Sequence, residues 1–288
     1  MSQLKPIVID PKKFLYKHCA LPALPEVLTK FQEIMNSPGV GVKEIAEIVN
    51  KDPALVAQIL KIINSAYYSL PVEFSDVKLA VAYLGINEVY KIILSISVIN
   101  SLSTNQKEEF NHIWFHSLLT AFCAKYFAQK YEPLLDKNEL WTIAILHDIG
   151  KLVYLKFFPK HYMKLKNYCQ KNGCLFCEAE IDLSLPSSSY LGTLLCGRWR
   201  VPDKIKRSCS SHSLYDLKKI NEESLNASYE AMVIIGNLVA ELSTDELKQE
   251  KKNEIIKEII KTININESDF LLIMGDVIQL KEEASKLF

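Results

Sequence analysis

The chain has 288 residues, 49% of them hydrophobic and 24% charged, a mixture that suits a soluble globular protein of one large domain or two modest ones. Lys+Arg 34 and Asp+Glu 34 cancel to a net charge of +0, which excludes long-range attraction to nucleic acid or to an anionic membrane. With only Gly 9 and Pro 11, a turn-rich β architecture is disfavoured.

The opening MSQLKPIVIDPKKF has no apolar core of a secretory signal. The most apolar segment, YKIILSISVINSL, is interrupted by serines and falls short of the roughly 20 residues a membrane span needs. A cytoplasmic protein without a membrane segment is expected, its seven cysteines present as thiols. Cys174 and Cys177 form a CxxC, with Cys169, Cys196 and Cys209 in the same half. A structural zinc site usually takes two such pairs, so buried thiols are preferred.

Along the chain, PEVLTKFQEIMNS places Val27, Leu28, Phe31, Ile34 and Met35 on one helical face and stops at Ser-Pro-Gly. VKEIAEIVN is a short helix. Asp52 then caps another, with Pro53 at its first position and an apolar stripe of Leu55, Ile59, Ile62 and Ile63. DVKLAVAYLG and NEVYKIILSISVINSL follow, broken at Gly85. Polar STNQKEE, from Ser103, reads as a joint between two helical lobes. Beyond it, EEFNHIWFHSLLTAFCAKYFAQKY, DKNELWTIAILHDIG, HYMKLKNYCQKNG, SSYLGTLLCGRW, PDKIKRSCSSH and SLNASYEAMVIIGNLVAEL are all helical by pattern, and the remainder makes two more helices. The run KQEKKNE reads as a solvated face. No strand alternation and no fixed repeat is found, so the fold class is all-α.

Two segments carry possible chemistry. VKEIAEIVNKDPALVAQILKIIN has the outline of a helix-turn-helix, but its second helix offers only Gln58, Lys61 and Asn64 to a nucleic acid, and a packed pair of helices is the better reading. In the second half, His116 in IWFHSLLTAF shares an inward face with Ile113, Leu119, Thr120 and Cys123, and His147 follows Ile143 and Ala144 on another. With Asp148 beside His147, these groups suit Mn, Fe or Zn, and such an ion lowers the pKa of a bound water to about 7 for attack on a phosphoester.

LPALPEV, KDPALVAQIL, NSAYY, LAVAYLG and AILHDIGKL, in that order, resemble the HDOD output domain from about Leu21 to His212. That family is a divergent, all-helical branch of the HD metal-dependent phosphohydrolase superfamily. The resemblance implies a bacterial signalling or regulatory protein of a kind that often acts without demonstrated enzymatic activity. It also implies an N-terminal lobe over residues 1–103, an HD-like lobe over 104–215, and helices over 216–288 that complete or cover it. The superfamily's first metal ligand corresponds to His116, its His-Asp pair to His147 and Asp148, and its later aspartate to Asn237. Where active relatives carry further histidines, this chain has Ser188, with Gly192 and Trp199 as anchors, and then Ser211 and His212.

An amide at 237 leaves Asp148 as the one carboxylate of the ligand set, and a hard divalent ion loses attraction with each lost charge. A degenerate site without catalysis or cofactor is therefore expected, with Mn, Fe, Zn or Mg as the ion if one binds. A hydrogen-bond network between Asp148 and the histidines is expected in its place. Lys151, which in active relatives could meet a phosphate, is expected to reach solvent here. The basic run Arg198, Arg200, Lys204, Lys206 and Arg207 is expected to be a solvated face. Expected partners are other signalling or regulatory proteins; the segment from Glu246 to Lys261 is either a surface for such a partner or a cover for the HD-like lobe. A nucleotide or cyclic dinucleotide hydrolase is the first alternative and a DNA-binding regulator the second.

Overall fold

A computed structural model describes residues 25–35, 41–220, 225–244 and 246–287. The side chains of Ile34 and Met35, the Ser-Pro-Gly stop and most of LPALPEV lie outside the described residues. Every regular element described is helical, as the periodicities imply. The chain divides into two compact units, Pro22–Leu102 and a larger one that includes Ser103–Ala284.

The smaller unit contains α1 (Glu26–Met35), α2 (Val42–Val49), α3 (Pro53–Ile63), α4 (Val77–Leu84) and α5 (Ile86–Ser101). Asp52 accepts hydrogen bonds from the amides of Ala54 and Leu55 at 3.0 and 3.1 Å, and Pro53 opens α3, which fixes where that helix starts. Leu55, Ile59, Ile62 and Ile63 are buried together with Phe31, whose ring stacks on Tyr90 at 5.1 Å. The helix-turn-helix outline is spent internally. Asn64 donates to the Phe74 carbonyl at 2.7 Å and accepts from its amide at 2.8 Å, and Gln58 accepts from Asn100 at 2.9 Å.

The larger unit runs α6 (Lys107–Tyr131), α7 (Lys137–Leu146), α8 (Ile149–Phe157), α9 (Pro159–Asn172), α10 (Phe176–Asp182), α11 (Ser188–Trp199), α12 (Asp203–Ser210), α13 (Leu214–Leu217), α14 (Leu225–Leu242), α15 (Gln249–Ile263) and α16 (Glu267–Ser285). The spine is the pair α6 and α14, both buried over most of their circumference. Their close approach rests on Gly236, where an added Cβ would lie 2.7 Å from the Thr120 carbonyl oxygen and 2.8 Å from the Ala124 amide. That contact brings Asn237 alongside His116. Neither α8 nor α10 is marked by periodicity in the sequence. Both are short, and α8 is apolar on nearly every side.

Several surface expectations change. Lys251, inside the run read as solvated, is partly buried and bridges Glu178 at 2.5 Å and Glu254 at 2.6 Å, tying α15 to α10. Arg198, Arg200, Lys206 and Arg207 are exposed, but Lys204 pairs with Glu139 at 2.8 Å and sits over the Tyr229 ring. Cys123, Cys169, Cys196 and Cys209 are buried, whereas Cys174 and Cys177 are partly exposed. No described helix is long and apolar enough to cross a membrane.

Glu180 is a buried acid on α10 that accepts the Ser188 amide at 2.7 Å. Burial pushes its pKa up to about 7, outweighing the Ser188 hydrogen bonds that favour the ionised form. The folded protein therefore holds a proton that the unfolded chain gives up near pH 4.5, so stability falls as pH rises from about 4.5 to about 7 and levels off above that. A Glu180→Gln variant should retain roughly 3 kcal/mol that the parent loses between about pH 4.5 and 7, read as a flatter Tm profile; identical profiles would refute the assignment. Gly236→Ala should cost about 1–3 kcal/mol through overpacking against the α6 backbone, despite the better helix propensity of alanine. Denaturant unfolding measures it, and a variant as stable as the parent would show that the two helices separate freely.

Candidate functional site

The site is assembled where α6, the α7–α8 junction and α14 meet. α7 ends at Leu146, and His147 and Asp148 form the turn before α8. Asp148 holds the N-cap position of α8, yet its side chain caps no backbone amide and is turned into the protein. The turn is pressed against α11. A Cβ on Gly150 would lie 1.9 Å from the Ser188 carbonyl oxygen and 3.0 Å from the Gly192 amide, so only glycine lets α8 lie this close. His116, His147 and Asp148 converge with ligand atoms within 4.8 Å of one another.

Hydrogen bonds determine what each group presents to the centre. His147 Nδ1 donates to the Ala144 carbonyl at 2.7 Å, so the neutral ring points a bare Nε2 inward. His212 Nδ1 donates to the Ser208 carbonyl at 3.2 Å, and its Nε2 lies 3.4 Å from Asp148 Oδ1. Asn237 donates its amide to the His212 carbonyl at 2.8 Å, which turns Oδ1 toward the rings. His116 Nε2 donates to that oxygen at 2.7 Å. The 3.3 Å approach of His147 Nε2 to Asn237 Oδ1 then sets one acceptor against another.

Asp148 stands among these acceptors. Its Oδ2 lies 3.4 Å from His147 Nε2 and 3.6 Å from His116 Nε2, and neither carboxylate oxygen accepts a hydrogen bond of ordinary geometry. The expected aspartate–histidine network is therefore absent, because the rings direct their N–H groups elsewhere. The compensating charge is Lys151, whose Nζ is 2.7 Å from Asp148 Oδ2. The lysine expected in solvent is only 13% exposed and lies one helical turn beyond the aspartate.

The electrostatics follow. Burial alone would raise the Asp148 pKa, but the Lys151 ammonium beside it holds it well below the carboxylate range. Burial opposes the Lys151 charge, and Asp148 and Glu241 more than restore it, so the ammonium titrates above its usual range. Burial first, then Lys151, lowers His116 to about 4, and burial lowers His147 to about 3, so both rings are neutral at pH 7.

Two groups were under-read in the sequence. Glu241, one turn beyond Asn237, brings a second carboxylate to the edge, with Oε1 3.9 Å from His116 Nε2 and 3.8 Å from Lys151 Nζ; its i+4 spacing from Asn237 was the available signal. His212 enters the cluster, whereas Ser211 is the C-cap of α12. Ser188 is committed to Glu180, and Gly192 and Trp199 are packing residues on α11. A cavity of about 280 Å³ lies against the cluster, bordered among others by His112, Asp148, Lys151, Tyr162, Cys169 and Glu241.

The donor types would suit a divalent ion, but the arrangement does not fit one. The Asp148 oxygen that faces both rings already holds a cation, and the His116 Nε2 lone pair is replaced by a proton donated to Asn237. Stable metal binding needs anionic or unprotonated ligands free of a competing positive charge.

Among known proteins, the HDOD domain model matches residues 21–215. The fold is similar to that of an HDOD domain protein of unknown function from Geobacter sulfurreducens, 20% identical with a TM-score of 0.69 over 96% of this chain and 97% of that one. It is similar also to a candidate phosphohydrolase from Shewanella amazonensis SB2B, 18% identical with a TM-score of 0.68 over 96% of this chain and 98% of that one. A candidate signal transduction protein from Marinobacter aquaeolei VT8 is 16% identical with a TM-score of 0.67, over 98% of this chain and 62% of that one. A Treponema pallidum (strain Nichols) protein is 22% identical over 192 residues, 67% of this chain but only 37% of that relative. The solved structures establish the fold, and with the family model spanning more than half of its length the chain belongs to the HDOD domain family.

Proposed function

We propose that this HDOD chain is a regulatory component of bacterial, cytoplasmic signal transduction that acts through contacts with other proteins and does not turn over a phosphoester. The observation that carries this reading is the Lys151 ammonium 2.7 Å from Asp148 Oδ2, at the carboxylate that a catalytic metal would need. Asn237 supports it by bringing no charge and by engaging the proton of His116. The description of the Marinobacter protein as a candidate for signal transduction agrees with it.

A second reading, a metal-dependent hydrolase of a nucleotide or cyclic dinucleotide, is favoured by the cavity beside the cluster and by the description of the Shewanella protein. DNA binding through α3 is the weakest of the three readings, because Gln58 and Asn64 are engaged within their own unit and the net charge is +0.

The readings separate in an assay of the purified protein with a chromogenic phosphodiester and with cyclic di-guanylate, supplied with Mn²⁺, Fe²⁺ or Mg²⁺. No turnover above that of a folded His147→Ala variant is expected. Metal-dependent cleavage that His147→Ala abolishes would overturn the regulatory reading in favour of the hydrolase.

A further inference from the structure

We infer that the outward face of α16 is a docking surface for a basic amphipathic helix of a partner protein. The inference rests on the regulatory reading above and names the chemistry of the partner. One side of α16 holds it to the larger unit. Phe270, Ile273, Val277 and Ala284 are buried, the Tyr126 hydroxyl donates to Asp276 at 2.6 Å, and Lys281 donates to the Ser243 carbonyl at 3.0 Å. The buried residues follow one another at three, four and seven positions, which marks one helical face. The opposite face carries Leu271, Gly275 and Ile278, again at helical spacing, with Leu272 beside them.

Leu271, Leu272 and Ile278 are 70%, 72% and 63% exposed, whereas a helix that only covers a core turns polar residues outward. A single exposed leucine is ordinary, but three aliphatic side chains on one helical face form a patch of the kind that marks a binding surface. Gly275 lies between Leu271 and Ile278. A Cβ there would meet nothing within 4 Å, so the fold itself does not need glycine at this interior position, where alanine would give a more stable helix. The dip it leaves lets the backbone of a second helix come close.

Charge selects the occupant. α16 contains five acids, Glu267, Asp269, Asp276, Glu282 and Glu283, against one lysine, Lys281. A second copy of the chain would set this acidic helix against itself, and like charges across an interface disfavour the pairing. An anionic bilayer or a nucleic acid is repelled for the same reason, and helices that lie on membranes carry lysine and arginine on their polar face. What fits is a helix with aliphatic side chains at i, i+3 or i+4, and i+7, and with lysine or arginine on its flanks. Burial of the stripe supplies affinity, and the flanking charges supply orientation and speed of association.

The probe is a fluorophore-labelled synthetic helix of leucine and lysine, with leucines at i, i+3, i+4 and i+7, and the control is its analogue with glutamate in place of lysine. Binding to the full chain is read by fluorescence anisotropy. The leucine–lysine helix should bind, and the leucine–glutamate helix should bind at least about tenfold more weakly. A Leu271→Ser/Ile278→Ser variant that unfolds at the parent's Tm should lose at least about tenfold in affinity for the leucine–lysine helix. Gly275→Arg, whose side chain enters open space in the free protein, should weaken binding likewise by blocking the approach. Glu267→Gln/Glu282→Gln should weaken it less and flatten its dependence on NaCl.

A leucine–lysine helix that does not bind overturns the inference. So does one that binds Leu271→Ser/Ile278→Ser and Gly275→Arg as tightly as the parent, which puts the contact elsewhere, and so does a leucine–glutamate helix that binds equally well. A parent that dimerises in sedimentation equilibrium, or that binds phosphatidylserine vesicles, and loses that property in Leu271→Ser/Ile278→Ser gives the face another occupant and also overturns it. Each of these failures leaves the regulatory reading standing, whereas metal-dependent cleavage in the phosphodiester assay sinks that reading and this inference with it.

Discussion

The ion pair between Lys151 and Asp148 is the interaction on which the centre of the larger unit depends. A carboxylate without contact to solvent is costly unless a positive charge is close, and here no hydrogen bond of ordinary geometry reaches it. His116 and His147 cannot supply that charge, because burial keeps both neutral. The pair follows from local geometry: Asp148 begins α8 and Lys151 is three residues on, so one helical turn places the ammonium over the carboxylate. Removing Lys151 alone would leave an uncompensated buried carboxylate, whereas removing both partners costs mainly packing.

The surrounding helices hold the pair by close backbone contacts. Gly150 lets α8 sink onto the start of α11, and Gly236 lets α14 sink onto α6. Those approaches place His116, Asn237 and the His147–Asp148 turn around one point. Backbone carbonyls of Ala144, Ser208 and His212 then set the rings and the amide. In metal centres the same device, an imidazole N–H on a carbonyl, aims the other nitrogen at an ion. Here it aims the His147 lone pair at a carboxylate, with the Lys151 ammonium as its nearest positive charge.

Much of this was legible in the sequence. The inward faces of His116 and His147 followed from helical spacing, and the order of five motifs pointed to the family and to Asn237 where an acid is usual. The sequence pattern also held what was missed. Lys151 is three residues from Asp148 and Glu241 four from Asn237, both neighbour spacings on a helix. Lys151 was placed in solvent because a lysine after an apolar motif usually snorkels outward, and nothing local shows that the aspartate lacks other partners. That depends on where the histidine N–H groups go: from His147 and His212 to the Ala144 and Ser208 carbonyls three and four residues back, and from His116 to Asn237, 121 positions away. The helix α10 and the burial of Lys251 were hidden for a similar reason: a short helix and a charged run acquire their meaning only from the surface they pack on.

The central claim is that the cation at Asp148 belongs to the protein. The most direct measurement is an anomalous difference map at the manganese edge from crystals of the unaltered chain grown with excess Mn²⁺. The account predicts no peak among His116, His147 and Asp148, and Lys151 Nζ in contact with the carboxylate. A peak at full occupancy bound by those three residues, with Lys151 turned toward Glu241, would contradict it.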